Sequence, residues 1–273
     1  MSRIIATAHA EVLIALRNRW VSIAVVMMVV FSLVLSAAGS APTGALGVDR
    51  LSVTVASLIS LSVYLVPLVA LLMSFDGVAG EIERGTLPLV LTYPIRRAEL
   101  LMGKLLAHLG VLTLAVAAGY GSAALAAIAT DMAAIEGLPA LWRLVWSSVL
   151  LGAAFLCLGY ALSALSQRSA GAAGLCIGLW LVMIVLYDLA LLAAVVTDGG
   201  GWFTTEAFPW LLIANPADAF RLFNLAASDA TAAVSGIAGA ANSIPPIYAL
   251  VSMAVWPLFA LGGAIMIFRK VTP

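Results

Sequence analysis

The sequence predicts an all-α, polytopic membrane protein: six transmembrane helices preceded by an amphipathic surface helix. Three observations predict it. Of 273 residues, 64% are hydrophobic and only 10% are charged, whereas soluble domains carry roughly 25% charged residues. The apolar residues gather into runs at 20–38, 51–75, 105–130, 142–164, 170–196 and 247–268, each long enough to cross ~30 Å of hydrocarbon as a helix. Of the 13 basic and 13 acidic residues, all but Arg143 and Asp188 lie outside those runs. One membrane domain, 1–273, accounts for the whole length.

The elements follow in order. In the arm 1–19, Ile4, Ile5, Ala8, Val12, Ala15 and Leu16 recur at helical spacing, with Arg3, Thr7, Glu11 and Asn18 turned elsewhere. That pattern suits a helix lying along the membrane surface and leading into the first span. A basic start and an apolar run followed by Ala and Ser also outline a cleaved signal peptide. The run is long for one and a 19-residue arm precedes it, so the span is expected to be retained. The remaining links are 39–50, 76–104, 131–141, 165–169 and 197–246. Ten of the 13 basic residues fall on one side: Arg3, Arg17, Arg19, Arg84, Arg96, Arg97, Lys104, Arg168, Arg269 and Lys270. Arg50, Arg143 and Arg221 fall on the other. The positive-inside rule therefore makes both termini and the link 76–104 cytoplasmic and the stretch 197–246 outward.

The densest polar island is DGVAGEIERGTLPLVLTYPIRRAELLMGK, Asp76 to Lys104, with eight charged residues. Glu81 and Glu83 suit the first turn of a short helix over Gly80–Leu91, where the dipole favours anions. Gly85 supplies the left-handed conformation that ends a helix, and Pro88 suits the opening turn of another. Pro94 punctuates the chain before a helix from about Arg96 into the next span. On the residues alone, an ordinary solvated loop and a partner-receiving loop stand level.

The string G-E-I-E-R-G-T-L followed by P-I-R-R-A-E-L-L-M-G-K resembles the cytoplasmic loop of ABC-2 type permeases, the membrane subunits of a large group of ABC transporters. Glu81, Glu83, Gly85, Thr86, Leu87, Pro94, Ile95, Arg97, Gly103 and Lys104 fit that family's pattern; Arg96 stands where Ser or Thr is commoner. The motif covers about a tenth of the chain, and the hydrophobic layout extends the likeness over the rest. The resemblance implies an ABC-2 (type V exporter-like) transmembrane domain. It also implies a coupling segment, Glu81, Ile82, Glu83, Arg84, Gly85, Thr86 and Leu87, seated in a groove of a separate ATP-hydrolysing subunit. A second copy of the chain and two such subunits, which hold the ATP and Mg²⁺, are the implied partners; this chain needs no cofactor of its own.

The outer stretch 197–246 carries Trp202, Phe203, Phe208, Trp210, Phe220 and Phe223 among Glu206, Asp218 and Arg221. Asn215-Pro216 with Asp218 signals a turn and then a helix start, and the Ala- and Ser-rich piece 226–243 reads as a further short helix. Aromatic helices half-inserted at the interface are one reading. The other is docking of an outer partner on Trp202, Phe208, Trp210, Asp218 and Arg221. Asp188, 18 residues into the span that begins near Ala170, lies about 27 Å along it. It is expected near the outer interface, satisfied by water or a neighbouring helix, with a proton or ion site as the alternative.

Pro67 and Pro257 interrupt two spans and are candidate hinges, though helix irregularity without motion fits equally. Gly174 and Gly178 permit close helix approach. Cys157 and Cys176 read as small apolar residues.

Catalytic classes are largely excluded. There is no Walker A motif, since Ala98 stands where its first glycine belongs and Leu105 follows Lys104. Only His9 and His108 are present, both toward the cytoplasmic side, so intramembrane haem ligation, a His-Glu-x-x-His zinc site and an outward serine hydrolase base all lack residues. Of nine methionines only Met132 falls in an outer link, and no Met or Cys pair forms a copper(I) ligand set. No catalytic and no metal residue is assigned.

Within the family, Asn215–Leu225 resembles the membrane subunits that serve maturation of nitrous oxide reductase. That narrower likeness implies a bacterial inner membrane, a periplasmic copper-site maturation partner, and delivery of copper or sulfur. Contact with membrane lipid is expected and with nucleic acid is not. The absent metal path favours mechanical transmission to the outer partner over copper passing through this chain. An exporter of a lipid, sulfur compound or drug is the rival and predicts flux without an outer protein; a passive anchor predicts no dependence on ATP.

Overall fold

The structure is a computed structural model that describes residues 3–17, 19–38, 50–225 and 245–271. All regular elements among the described residues are helical. They are α1 (Arg3–Arg17), α2 (Arg19–Ala38), α3 (Arg50–Ser74), α4 (Asp76–Glu83), α5 (Leu87–Leu91), α6 (Arg97–Thr130), α7 (Leu138–Leu165), α8 (Ser169–Trp180), α9 (Tyr187–Asp198), α10 (Phe208–Ala214), α11 (Pro216–Leu225) and α12 (Pro246–Lys270). A π-helical turn, Leu181–Leu186, joins α8 to α9 into one 30-residue span. Five helices are long and apolar enough to cross a membrane. The arm and α2, bent by 68° where they meet, supply a sixth. The six predicted runs therefore all appear as helices, each extended by a few residues. Both described termini lie at one end of the bundle with α4 and α5; this is the basic end.

Helix α7 is the centre, packed against α3, α6 and α12. Its buried stripe, including Leu144, Leu151, Phe155 and Tyr160, faces Leu58, Val66 and Val69 of α3 within one apolar core. The 34-residue α6 receives the arm at its basic end and α2 further along. Helix α2 meets it through Val21, Ala24, Met28, Ser32 and Ser36, a stripe of helical period, and turns Ile23, Val26, Val30, Phe31 and Val34 outward. The two backbones come close at Gly119, where a Cβ would lie 3.1 Å from the Met28 carbonyl oxygen. Some polar side chains inside the bundle pair across helices. The Tyr120 hydroxyl bonds Ser62 and reaches Ser148 at 3.4 Å, joining α3, α6 and α7.

Helices α3 and α4 run on almost without a break, Val53–Glu83, 31 residues. At the joint, the Ser163 hydroxyl accepts from the backbone N–H of Val78 (3.0 Å) and Ala79 (2.9 Å) and donates to the Phe75 carbonyl (2.5 Å). One side chain of α7 thus satisfies the backbone groups that the irregularity frees. The short helix at the predicted loop begins at Asp76 rather than Gly80, because it is the continuation of the span. Helices α3 and α12 carry Pro67 and Pro257 inside them without ending there. Gly174 and Gly178 meet no atom within 4 Å at their Cβ positions, so their small surface is not used within the chain.

The stretch expected to face outward is largely folded back in. Gly199 and Gly200 take positive φ (58° and 90°) and reverse the chain after α9. Residues 203–214 then descend, Asn215 turns, and α11 returns. Asn215 Nδ2 donates to the carbonyl of Met183, midway along the Ser169–Asp198 span, at 2.6 Å. The carbonyls at the end of α10 accept from side chains of neighbouring helices: Leu211 from Tyr187 (2.7 Å), Ile213 from Ser252 (2.5 Å) and Ala214 from Trp256 (3.0 Å). A helix end inside the hydrocarbon needs such donors. The predicted Asn215 turn holds, with Asn215 Oδ1 accepting from the Ala217 N–H at 2.9 Å. The expected helix over 226–243 and the link 39–49 lie outside the described residues.

Replacing Gly119 by Val is expected to force α2 from α6 at a cost of about 1–3 kcal/mol, read as a lowered thermal midpoint in detergent. Gly110→Ala, where the added methyl meets nothing within 4 Å, should leave the midpoint unchanged or slightly raised.

Candidate functional site

The loop at the basic end is built by local chemistry. Arg84 closes α4, Gly85 takes φ 67°, and the N–H groups of Gly85 and Thr86 return to the carbonyls of Ile82 (3.0 Å) and Glu81 (2.9 Å). Pro88 sits in the first turn of α5 as predicted. Pro94 and Arg96 lead into α6, where Glu99 caps the Arg96 N–H at 2.8 Å.

The charges of this loop mostly turn inward. Glu81 Oε1 lies 2.8 Å from Lys104 Nζ, which also reaches Glu11 of the arm at 3.1 Å. The Lys104 side chain is 4% exposed. Glu11 stands 3.9 Å from His108 Nε2, and His108 Nδ1 and the Tyr160 hydroxyl are 2.5 Å apart. One polar chain therefore joins the arm, α4, α6 and α7. Around it is a small cavity of about 90 Å³ that Asp76 and Arg84 also line. Glu83 accepts from the Ser169 N–H at the start of α8 (2.9 Å), and Asp76 takes both Ser169 Oγ (2.6 Å) and Arg84 Nη1 (3.0 Å).

Of the seven residues expected to meet a partner, Glu81 is thus occupied inside the chain and Leu87 is fully buried. Ile82 packs on the core, and Thr86 is half-buried with its hydroxyl on the Glu81 carbonyl. Glu83, Arg84 and Gly85 remain exposed. The outward apolar side chains are ones that sequence reading did not single out: Leu89, 65% exposed, and Tyr93, 71% exposed. The arm departs from expectation too. It sets Thr7 and Glu11 toward α6, with Thr7 against Gly103, and turns Ile5, Leu13 and Leu16 outward. Lys104 was counted only as a motif residue. Its place one turn before His108 in an apolar helix, with Glu11 in an amphipathic arm, was the available signal.

At the far end, Trp202 and Trp210 are exposed and Phe208 is half-buried. Asp218 and Arg221, expected on a docking surface, are not placed there. Arg221 lies between Asp188 and Asp218 at 3.1 Å from each, and the Asp218 side chain is 2% exposed. Asp188 is therefore satisfied by a neighbouring helix, one of the two expectations for it. Two carboxylates share one guanidinium, which ties α9 to α11. Among the described residues no group of three or more His, Cys, Asp or Glu is arranged to hold a metal ion.

Comparison with known proteins adds a family and two relatives. The pattern of the ABC-2 family transporter protein matches residues 5–271. The chain is 42% identical over 267 residues to the "Probable ABC transporter permease protein NosY" of Pseudomonas aeruginosa, covering 96% of each chain. It is 38% identical over 275 residues to the protein of the same name from Stutzerimonas stutzeri, covering 99% of each.

Lys104→Met is expected to strand Glu11 and Glu81 in a nearly dry site and to cost about 3–5 kcal/mol. Adding Glu11→Gln and Glu81→Gln should return much of that stability, measured as thermal unfolding in micelles. Arg221→Met should loosen the folded-back segment, seen as faster hydrogen exchange across 203–225, and Asp188→Asn with Asp218→Asn should slow it again.

Proposed function

The chain belongs to the ABC-2 family of transporter proteins, and on that footing we propose that it is the permease through which separate ATP-hydrolysing subunits do work at the far face of a bacterial inner membrane. Two copies of the chain pair with two such subunits, which supply the ATP and Mg²⁺ sites. The basic end is cytoplasmic, in keeping with the distribution of Lys and Arg. The likeness to two permeases named NosY supports a more specific assignment: delivery of copper or sulfur for the copper site of nitrous oxide reductase, through a periplasmic maturation partner.

The observation that carries this reading is the division of labour in the loop. Glu81, Glu83 and Lys104 are engaged with the arm, α6 and α8, while Leu89 and Tyr93 stand exposed next to Gly85 and Pro88. An exposed aliphatic residue on α5 and an exposed aromatic residue just after it are suited to fill pockets on another protein. Motion of that protein then enters α4 directly, because α4 continues α3, and enters the arm and α6 through Lys104. Glu81 and Leu87 act in transmission rather than contact, and Glu83, Arg84 and Gly85 form the rim of the contact. At the other face, Trp202, Trp210 and Phe208 offer the aromatic surface for the periplasmic partner. We read the work as mechanical transmission rather than copper passage, since the bundle interior is filled by apolar side chains and, among the described residues, no group of three or more His, Cys, Asp or Glu is arranged to hold a metal ion.

The test is co-purification. Leu89→Glu with Tyr93→Ala is expected to reduce recovery of the ATP-hydrolysing subunit at least tenfold, as loss of two interface anchors should. The variant should insert and fold normally. Cells carrying it should make nitrous oxide reductase without its copper–sulfur site. Undiminished recovery of the subunit would remove the loop from the interface, and ATP-driven copper flux into vesicles holding the intact complex would overturn the mechanical reading.

A further inference from the structure

Two adjoining grooves lie at the basic end, the first between the arm and α5 and the second between the end of α5, the start of α6 and the end of α12. The first, about 520 Å³, is walled by Ala6, Ala10, Val90 and Ile95, with the exposed Arg3 and Tyr93 beside them. The second, about 620 Å³, shares Ile95 and is lined by Arg96, Arg97 and Arg269. One groove is therefore apolar, and its neighbour carries three guanidinium groups. Arg97 is already committed: its Nη1 donates to the carbonyls of Phe268, Arg269 and Val271 at 2.6–3.2 Å. Arg96 and Arg269 are exposed, and neither has a carboxylate partner among the described residues. Arg3 stands 3.9 Å from Glu99, a long contact at an exposed site.

We propose that these paired grooves bind an anionic phospholipid of the leaflet at the basic end, with an acyl chain against Ala6, Ala10 and Val90 and the phosphate between Arg96 and Arg269. The position fits. The arm exposes Ile5, Leu13, Ile14 and Leu16, as a helix lying at the boundary of hydrocarbon and headgroups does. The guanidinium groups stand where α6 and α12 leave their apolar stretches, at the level of lipid phosphates. The inner leaflet supplies anionic lipid, and each Lys or Arg near its surface adds to the attraction. Charge and apolarity side by side select an amphiphile over a free anion or a neutral lipid. Leu89 lines neither groove, while Tyr93 borders the first and also belongs to the contact proposed above, so lipid retention is read on the chain without its partner subunits.

The experiment uses the full chain in nonionic micelles, offered equal amounts of dioleoyl phosphatidylglycerol and dioleoyl phosphatidylcholine and examined by native mass spectrometry. Phosphatidylglycerol should be retained preferentially. Arg96→Gln with Arg269→Gln should lower its retention about tenfold, while Arg96→Lys with Arg269→Lys preserves it and controls for folding. Ala6→Trp should displace the diacyl lipid, and excess glycerol phosphate should fail to compete. Equal retention of the two lipids, unchanged retention in the glutamine variant, or competition by glycerol phosphate would each overturn the proposal. So would a glutamine variant that loses the ATP-hydrolysing subunit while keeping its lipid, which would give the basic groove to a protein partner.

Discussion

Lys104 has almost no access to water, and that one circumstance dictates the arrangement of the basic end. An ammonium group in such a place must be met by carboxylates, and the two that meet it come from opposite sides. Glu11 belongs to the arm and Glu81 to α4. The arm therefore lies with Thr7 and Glu11 inward beside Ile4, Ala8, Val12 and the buried Ala15, and with Ile5, Leu13 and Leu16 outward. Its register is fixed by Gly103, whose missing side chain lets Thr7 and the Ile4 carbonyl approach α6. Three elements that share no sequence neighbourhood are held in one relation by a single charge.

The far end obeys the same rule with different groups. A chain that turns at mid-depth exposes carbonyls to hydrocarbon unless something donates to them. Tyr187, Ser252 and Trp256 do so, and Asn215 closes the turn on Met183. Arg221 then fastens the returning helix to α9 through Asp188. The outer aromatic residues divide accordingly, with Phe220 fully buried against the bundle and Trp202 and Trp210 left in the open.

Much of this was legible in the sequence, and what was legible is local. Span positions follow from apolar runs, the loop's bends from Gly85, Pro88 and Pro94, and the α11 start from Asn215-Pro216. The facing of side chains was not legible. That Glu81 looks toward Lys104 depends on how α4 continues α3, and that Asp218 is interior depends on a chain reversal whose hydrogen-bond partners lie at positions 183, 187, 252 and 256. Those partners are far along the chain, and no periodicity in residues 203–225 announces them. The arm was legible in part: Ile4, Ala8, Val12 and Ala15 do turn inward, while helical spacing could not say that Thr7 and Glu11 would join them and that Ile5 and Leu16 would turn out.

The nearly continuous course from Val53 to Glu83 has a geometrical consequence. Thirty-one residues span about 46 Å, more than the ~30 Å of hydrocarbon, so the helix projects beyond the bilayer as a stiff handle. Pro67 stands near its midpoint, about 21 Å from one tip and about 24 Å from the other. Tilting about that residue moves the two tips by nearly equal distances in opposite directions. Under the transmission proposed above, arms so closely matched would carry a stroke across the membrane without magnifying it.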